Sequence, residues 1–113
     1  MGAQSGWQDA VARRRDEVRH LIELLERRHA HIVAGSEWTS NDDEHDPEGA
    51  TVAFERAQTA ALLHQAKQEL DELKNAQARL DAGTYGTCER CGKAIGEGRL
   101  EALPAASKCI NCV

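Results

Sequence analysis

A chain of 113 residues has room for one domain, and with 29% charged and 4% aromatic residues it can build only a thin hydrophobic core, one that needs a staple. Its net charge of -5 argues against a nucleic-acid footprint. No apolar run reaches the length of a signal peptide or a membrane span, so the sequence predicts a cytoplasmic, reducing setting without disulfides.

The first predicted element is a helix from Trp7 to Ala34. Trp7, Val11, Val18, Leu21, Leu25 and Ile32 recur at spacings of three, four or seven, the seam of a paired helix, which Arg14 and Arg28 interrupt. Ser5 and Gln8 read as a capping box at its start, and Gly35 as its stop.

The segment GSEWTSNDDEHDPEGA, residues 35–50, follows. It holds Glu37, Asp42, Asp43, Glu44, Asp46 and Glu48 without a Lys or Arg, whereas charges nearly balance elsewhere. The ordinary reading is a solvated loop whose acids oppose a helix macrodipole. At the end of a narrow rod, however, the same carboxylates can be delivered into a deep channel, where they suit Mg²⁺ or basic side chains and are repelled by phosphate. Trp38 reads as a partner-facing anchor or as local packing.

A second helix is expected from about Pro47 to Ala82, carrying Val52, Leu63, Ala66, Leu70, Leu73 and Leu80 on the same period. Asp46 and Pro47 suit its N-cap and first turn, and Gly83 its C-terminal cap. A fold-back near residue 42 would pair Ile32 with Val52, Leu21 with Leu63, Val18 with Ala66 and Val11 with Leu73. The register also sets Arg28 against Arg56, which requires a small shift or two side chains reaching outward.

All four cysteines fall in the last 26 residues. Cys88 and Cys91 form one CxxC, Cys109 and Cys112 another, and seventeen residues separate them. That spacing brings two thiolate-bearing turns around one tetrahedral ion, zinc first and iron second. Gly92 gives backbone amides room to approach a thiolate, and Arg90, Lys93, Arg99 and Lys108 suit the charge of a tetrathiolate centre. Four protein ligands leave no open position, so the expected zinc is structural and no enzyme chemistry is expected. Leu80, Ile95, Leu100, Leu103 and Ile110 are the candidate core around it. His20, His29, His31, His45 and His64 read as solvated side chains, not further ligands.

The fold expected is mainly α: a long antiparallel two-helix coiled-coil hairpin over residues 1–83, with its acidic tip at about 35–50, and a small C-terminal four-cysteine zinc-finger module over 84–113. An acidic-tipped hairpin followed by CERCGKAIGEGRLEALPAASKCINC resembles the DksA/TraR zinc-finger family of bacterial transcription factors. The most specific stretch comprises both cysteine pairs, Gly92, Ile95-Gly96, Arg99-Leu100-Glu101-Ala102 and Pro104. The resemblance implies a non-enzymatic regulator that binds RNA polymerase directly, inserts its coiled coil through the secondary channel toward the active-site magnesium, and needs no DNA sequence recognition. It also implies that Asp43, Asp46 and Glu48, supported by Asp42 and Glu44, act at the tip.

The tip departs from the family's acidic DxxDxA pattern. Counted from Asp46, the second acid becomes Gly49 and the alanine Thr51; counted from Asp43, Asp46 fits but Glu48 replaces the alanine. Other readings are a thiol and zinc redox sensor, a zinc-stapled interaction module without an active tip, a DNA-binding finger, and a transcript-cleavage factor whose tip acids hold a second magnesium.

Overall fold

The computed structural model describes the backbone of residues 2–38 and 47–113, and side chains within 6–34 and 49–113. Two long helices dominate: α1, Gly2–Trp38, and α2, Pro47–Ala82, of 37 and 36 residues. At 1.5 Å per residue each extends ~55 Å. They pack along one another as an antiparallel hairpin, and the molecule measures 63 × 26 × 19 Å. It is the rod that the periodicity predicts.

The ends of α2 follow from its sequence. Pro47 has no N–H to leave unpaired in a first turn, and its ring holds φ at a helical value. At the other end Gly83 takes φ 77°, donating its N–H to the Leu80 carbonyl at 3.2 Å, while the Thr84 N–H reaches the Arg79 carbonyl at 2.9 Å. Those two bonds define a Schellman cap, whose left-handed residue only glycine adopts without strain.

At both ends α1 differs from expectation. It starts at Gly2, so Ser5 lies inside the helix instead of capping it, and it continues through Gly35 to Trp38. An interior glycine costs about 1 kcal/mol relative to alanine. Burial of one apolar side chain contributes about 1.5–3 kcal/mol, so a long paired seam overrides that weak stop signal.

The seam itself is built from Val11, Val18, Ile22 and Leu25 of α1 against Thr59, Ala66, Leu73, Ala76 and Leu80 of α2. Of the expected pairs, Val11 with Leu73 and Val18 with Ala66 are buried on both sides, and Ile32 and Val52 are half-buried. Leu21 is the correction: it is 41% exposed, and Ile22, at 8%, takes the inward place. Val11, Val18 and Leu25 are seven apart, so the alternating seam position falls either on 14, 21 and 28 or on 15, 22 and 29. The second choice leaves Arg14 at the seam edge and Arg28 in solvent. Arg28 and Arg56 are both exposed, which removes the expected conflict. Its cost falls on half-buried Arg15, whose Nε is buried with no hydrogen-bond partner.

At the base of the rod the chain turns into the cysteine module, which contributes one short helix, α3, Glu97–Ala102. The sequence reading had no helix there. Among the described residues there is no strand, only an isolated antiparallel bridge between Thr87 and Ala94. Leu80, Ile95 and Leu100 are buried as expected, joined by Tyr85, against which Trp7 packs with ring centroids 5.9 Å apart. Leu103 and Ile110 are corrections, at 52% and 76% exposed. Trp7 and Tyr85 belong to that core instead. Ile110 also lies between two cysteines that both turn inward, which sends the intervening side chain out.

Candidate metal centre

Each cysteine pair sits on a turn closed by its own backbone. After the Thr87–Ala94 bridge, the Cys88 N–H donates to the Lys93 carbonyl at 2.8 Å and the Gly92 N–H returns to the Cys88 carbonyl at 2.9 Å. Gly92 has φ 78°, a left-handed value that lets the turn close so tightly. The second turn closes with the Cys112 N–H on the Cys109 carbonyl at 3.0 Å, and the Glu89 N–H reaches across to the Ser107 carbonyl at 2.9 Å. One turn is thereby laced to the strand of chain leading into the other.

The result brings four sulfurs together. The Sγ atoms of Cys88, Cys91, Cys109 and Cys112 all lie within 4.8 Å of one another, and those of Cys91 and Cys109 are 3.7 Å apart. Sulfurs bound at about 2.3 Å around a tetrahedral ion are about 3.8 Å apart. The donor set and its dimensions therefore fit one structural zinc, with Cys88 and Cys109 buried and Cys91 facing solvent.

Electrostatics agree with that reading. Backbone amides of Cys109 and Cys91 push the Cys88 thiol down to about 6, the Cys91 N–H lying 3.5 Å from its sulfur. Hydrogen bonding among the sulfurs, Cys109 first, with burial, pushes Cys112 up to about 12. Four thiols held this close cannot all ionise against one another; a divalent cation removes the conflict.

Arg79 and Tyr85, which sequence reasoning did not single out, tie the module to the rod and brace it internally, and Arg99 adds a further bond within it. An Arg79 terminal nitrogen donates to the carbonyls of Ala105 and Ala106 at 3.3 and 3.4 Å. The Tyr85 hydroxyl donates to the Pro104 carbonyl at 2.8 Å, and burial raises its pKa, keeping the proton in place. Arg99 Nε donates to the Lys108 carbonyl at 3.0 Å. Their acceptors are main-chain carbonyls, which carry no side-chain signature; only the lone tyrosine in an otherwise aromatic-poor module offered a hint.

Of the histidines, His20, His31 and His64 are exposed and His29 half-buried, and among the described residues none joins the sulfur cluster. His45 lies outside the described residues. So do Asp42, Asp43, Glu44 and Asp46 of the expected tip; Glu48 belongs to α2, its side chain outside the description. The ends of α1 and α2 that this segment joins lie a helix length from the cysteines. No helix among the described residues is long and apolar enough to cross a membrane.

Two long helices leading into a four-cysteine cluster define a helical hairpin with a zinc-finger base. Residues 83–112 match the model of the prokaryotic dksA/traR C4-type zinc finger. The whole chain superposes on the transcription factor DksA2 from Pseudomonas aeruginosa with a TM-score of 0.81 and 28% identity, covering 99% of this chain and 81% of that one. It is 29% identical over 104 residues to the RNA polymerase-binding transcription factor DksA of Haemophilus influenzae, covering 86% of this chain and 72% of that protein. The uncharacterized protein YteA of Bacillus subtilis is 38% identical over 65 residues, though this chain spans only 27% of its length. The finger is that of the DksA/TraR family by its match, and along nearly its full length the chain is similar to relatives named as transcription factors.

Proposed function

We propose that the protein is a cytoplasmic, non-enzymatic regulator that binds RNA polymerase and carries the acidic residues 42–48 through the secondary channel to modulate promoter complexes. Residues 1–83 form the inserting hairpin, and 84–113 the module that seats its base. Cys88, Cys91, Cys109 and Cys112 hold one zinc, whose part is to fix the module against α2. Asp43, Asp46 and Glu48 are the leading tip residues, with Asp42 and Glu44 adding to the local negative charge. Recognition is of protein, without sequence-specific DNA contact, since the acid-rich segment repels phosphate.

The observation that carries this reading is likeness along nearly the full chain to a protein named for binding RNA polymerase, 29% identical over 86% of this one. The rod supports it physically. Two helices of ~55 Å hold Trp38 and Pro47, the ends that residues 39–46 join, far from the module, so one end can be anchored while the other reaches inward. Capture of purified RNA polymerase on the immobilised native protein tests the proposal. Binding at micromolar concentrations or tighter is expected, and none at those concentrations rejects it.

A further inference from the structure

The seam of the hairpin is apolar over only part of its length. Toward the base, Val11, Val18, Ile22 and Leu25 of α1 are buried, as are Ala66, Leu73, Ala76 and Leu80 of α2. The cross-helix ion pair of Arg14 with Glu69 lies in the same stretch. Thr59 is the buried residue of α2 nearest the tip, and it is the one buried polar side chain among the described residues. Beyond that level nothing described is buried: in residues 26–34 of α1 and 49–58 of α2, His29, Ile32, Val33, Val52 and Glu55 are half-buried and the others exposed. Phe54, the sole phenylalanine, is 69% exposed and so adds little to the seam.

The register explains the change. With Val11 against Leu73 and Val18 against Ala66, the last layers toward the tip set Leu25 against Thr59, His29 against Glu55 and Ile32 against Val52. Two of those three layers carry a polar or ionisable side chain where the base half carries aliphatic ones. Imidazole and carboxylate hold on to their water, so the His29–Glu55 layer gains little from closing. Each arm also contains a glycine, Gly35 in α1 and Gly49 in α2, which weakens its helix. At about a dozen residues each, the arms are too short to stay helical in water without a packed neighbour.

We infer that the hairpin is built in two cooperative parts: the arms beyond the Leu25–Thr59 layer open and close together as one unit while the base half stays folded. Parting the arms melts their helices in the same step, because neither keeps its helix without the other. Residues 39–46 are therefore carried on two arms whose spacing changes. A partner that requires the arms closed meets only the closed fraction of the protein, and its apparent affinity is lowered by that fraction. The device belongs to the free protein and stands or falls apart from the polymerase reading.

Hydrogen exchange of the zinc-loaded chain, followed by mass spectrometry, tests it. Corrected for intrinsic rates, amides of 26–34 and 49–58 are expected to exchange roughly tenfold or more faster than those of 11–25 and 66–80, with one protection factor shared by the two arms. In His29→Leu/Glu55→Leu an aliphatic layer replaces the ionisable one, and protection of both arms is expected to rise roughly tenfold or more, the yield of burying a large apolar side chain. Val18→Ala, in the base half, is expected to lower protection of 11–25 and 66–80 and to leave that of the arms unchanged, since their opening does not break its layer. Arms as well protected as the base half, or losing protection with it in Val18→Ala, would mean a single cooperative hairpin and overturn the inference. Unequal protection of the two arms, or no gain in the leucine variant, would overturn it as well.

Discussion

Arg14 of α1 reaches across the hairpin to Glu69 of α2, with Nε and a terminal nitrogen 2.5 and 2.8 Å from the two carboxylate oxygens. Glu17, one turn on, adds a contact at 3.2 Å. The hydrogen bonds to Glu69 push the Arg14 pKa further above its usual value. This two-point pair joins residues 55 apart in sequence, so it fixes register as well as adding stability.

Reversing one charge tests that role. Because both side chains are partly exposed, solvent screens the pair, and its loss is expected to cost only about 1 kcal/mol. Arg14→Glu, which also adds repulsion against Glu17 and Glu69, should lower Tm by about 4 °C. Arg14→Glu/Glu69→Arg should recover most of the loss. Thermal melts of the three proteins by circular dichroism check it; no recovery in the double variant would mean the pair does not set the register.

Removing the metal should dissect the molecule. Val11, Val18, Ile22, Leu25 and Leu73 form a seam that contains no metal ligand, and α1 and α2 hold 37 and 36 residues against six in α3. After chelation the far-UV helix signal is expected to persist, while amide protection is lost through residues 86–112. Collapse of the helix signal on chelation would show instead that the zinc holds the whole rod together.

Zinc affinity should fall in acid, and more steeply below about pH 6. Above that value Cys88 offers a thiolate without releasing a proton; below it, a proton must leave Cys88 as well, adding one to the slope of log affinity against pH. The Cys112 proton, held up to about 12 in the metal-free protein, is displaced on binding throughout the neutral range. Chelator competition between pH 5 and 8 measures the slope. A constant slope across pH 6 would place the Cys88 thiol elsewhere.

Tyr85→Phe removes the hydroxyl that meets the Pro104 carbonyl while keeping the ring against Trp7. A loss of about 1 kcal/mol is expected, the usual net value of one hydrogen bond, readable in urea denaturation. Tyr85→Ala removes both contacts and should cost about 3–5 kcal/mol. Equal losses would assign all of the residue's contribution to the hydroxyl.

The strong signals in this sequence were those with one physical meaning. Pro47 and Gly83 bound α2 where they were expected to, because one residue lacks an N–H and the other tolerates positive φ. Two CxxC pairs gathered into one cluster because four thiolates have little other use at that spacing. Ser5 and Gly35 misled, since serine is tolerated inside a helix and a single glycine is a weak stop. The Leu21-Ile22 step was ambiguous by one residue, and only packing against α2 chose between the two. The main-chain acceptors of Arg79 and Tyr85 could not be read from side-chain identity at all.

The central claim is that the segment joining α1 and α2 acts inside RNA polymerase. The lifetime of a promoter complex, measured with saturating native protein and with Asp43→Ala/Asp46→Ala, tests it most directly. The native protein is expected to change that lifetime, and the variant to bind the polymerase with similar affinity while leaving the lifetime unchanged. An identical effect from both proteins would contradict the assignment of the tip.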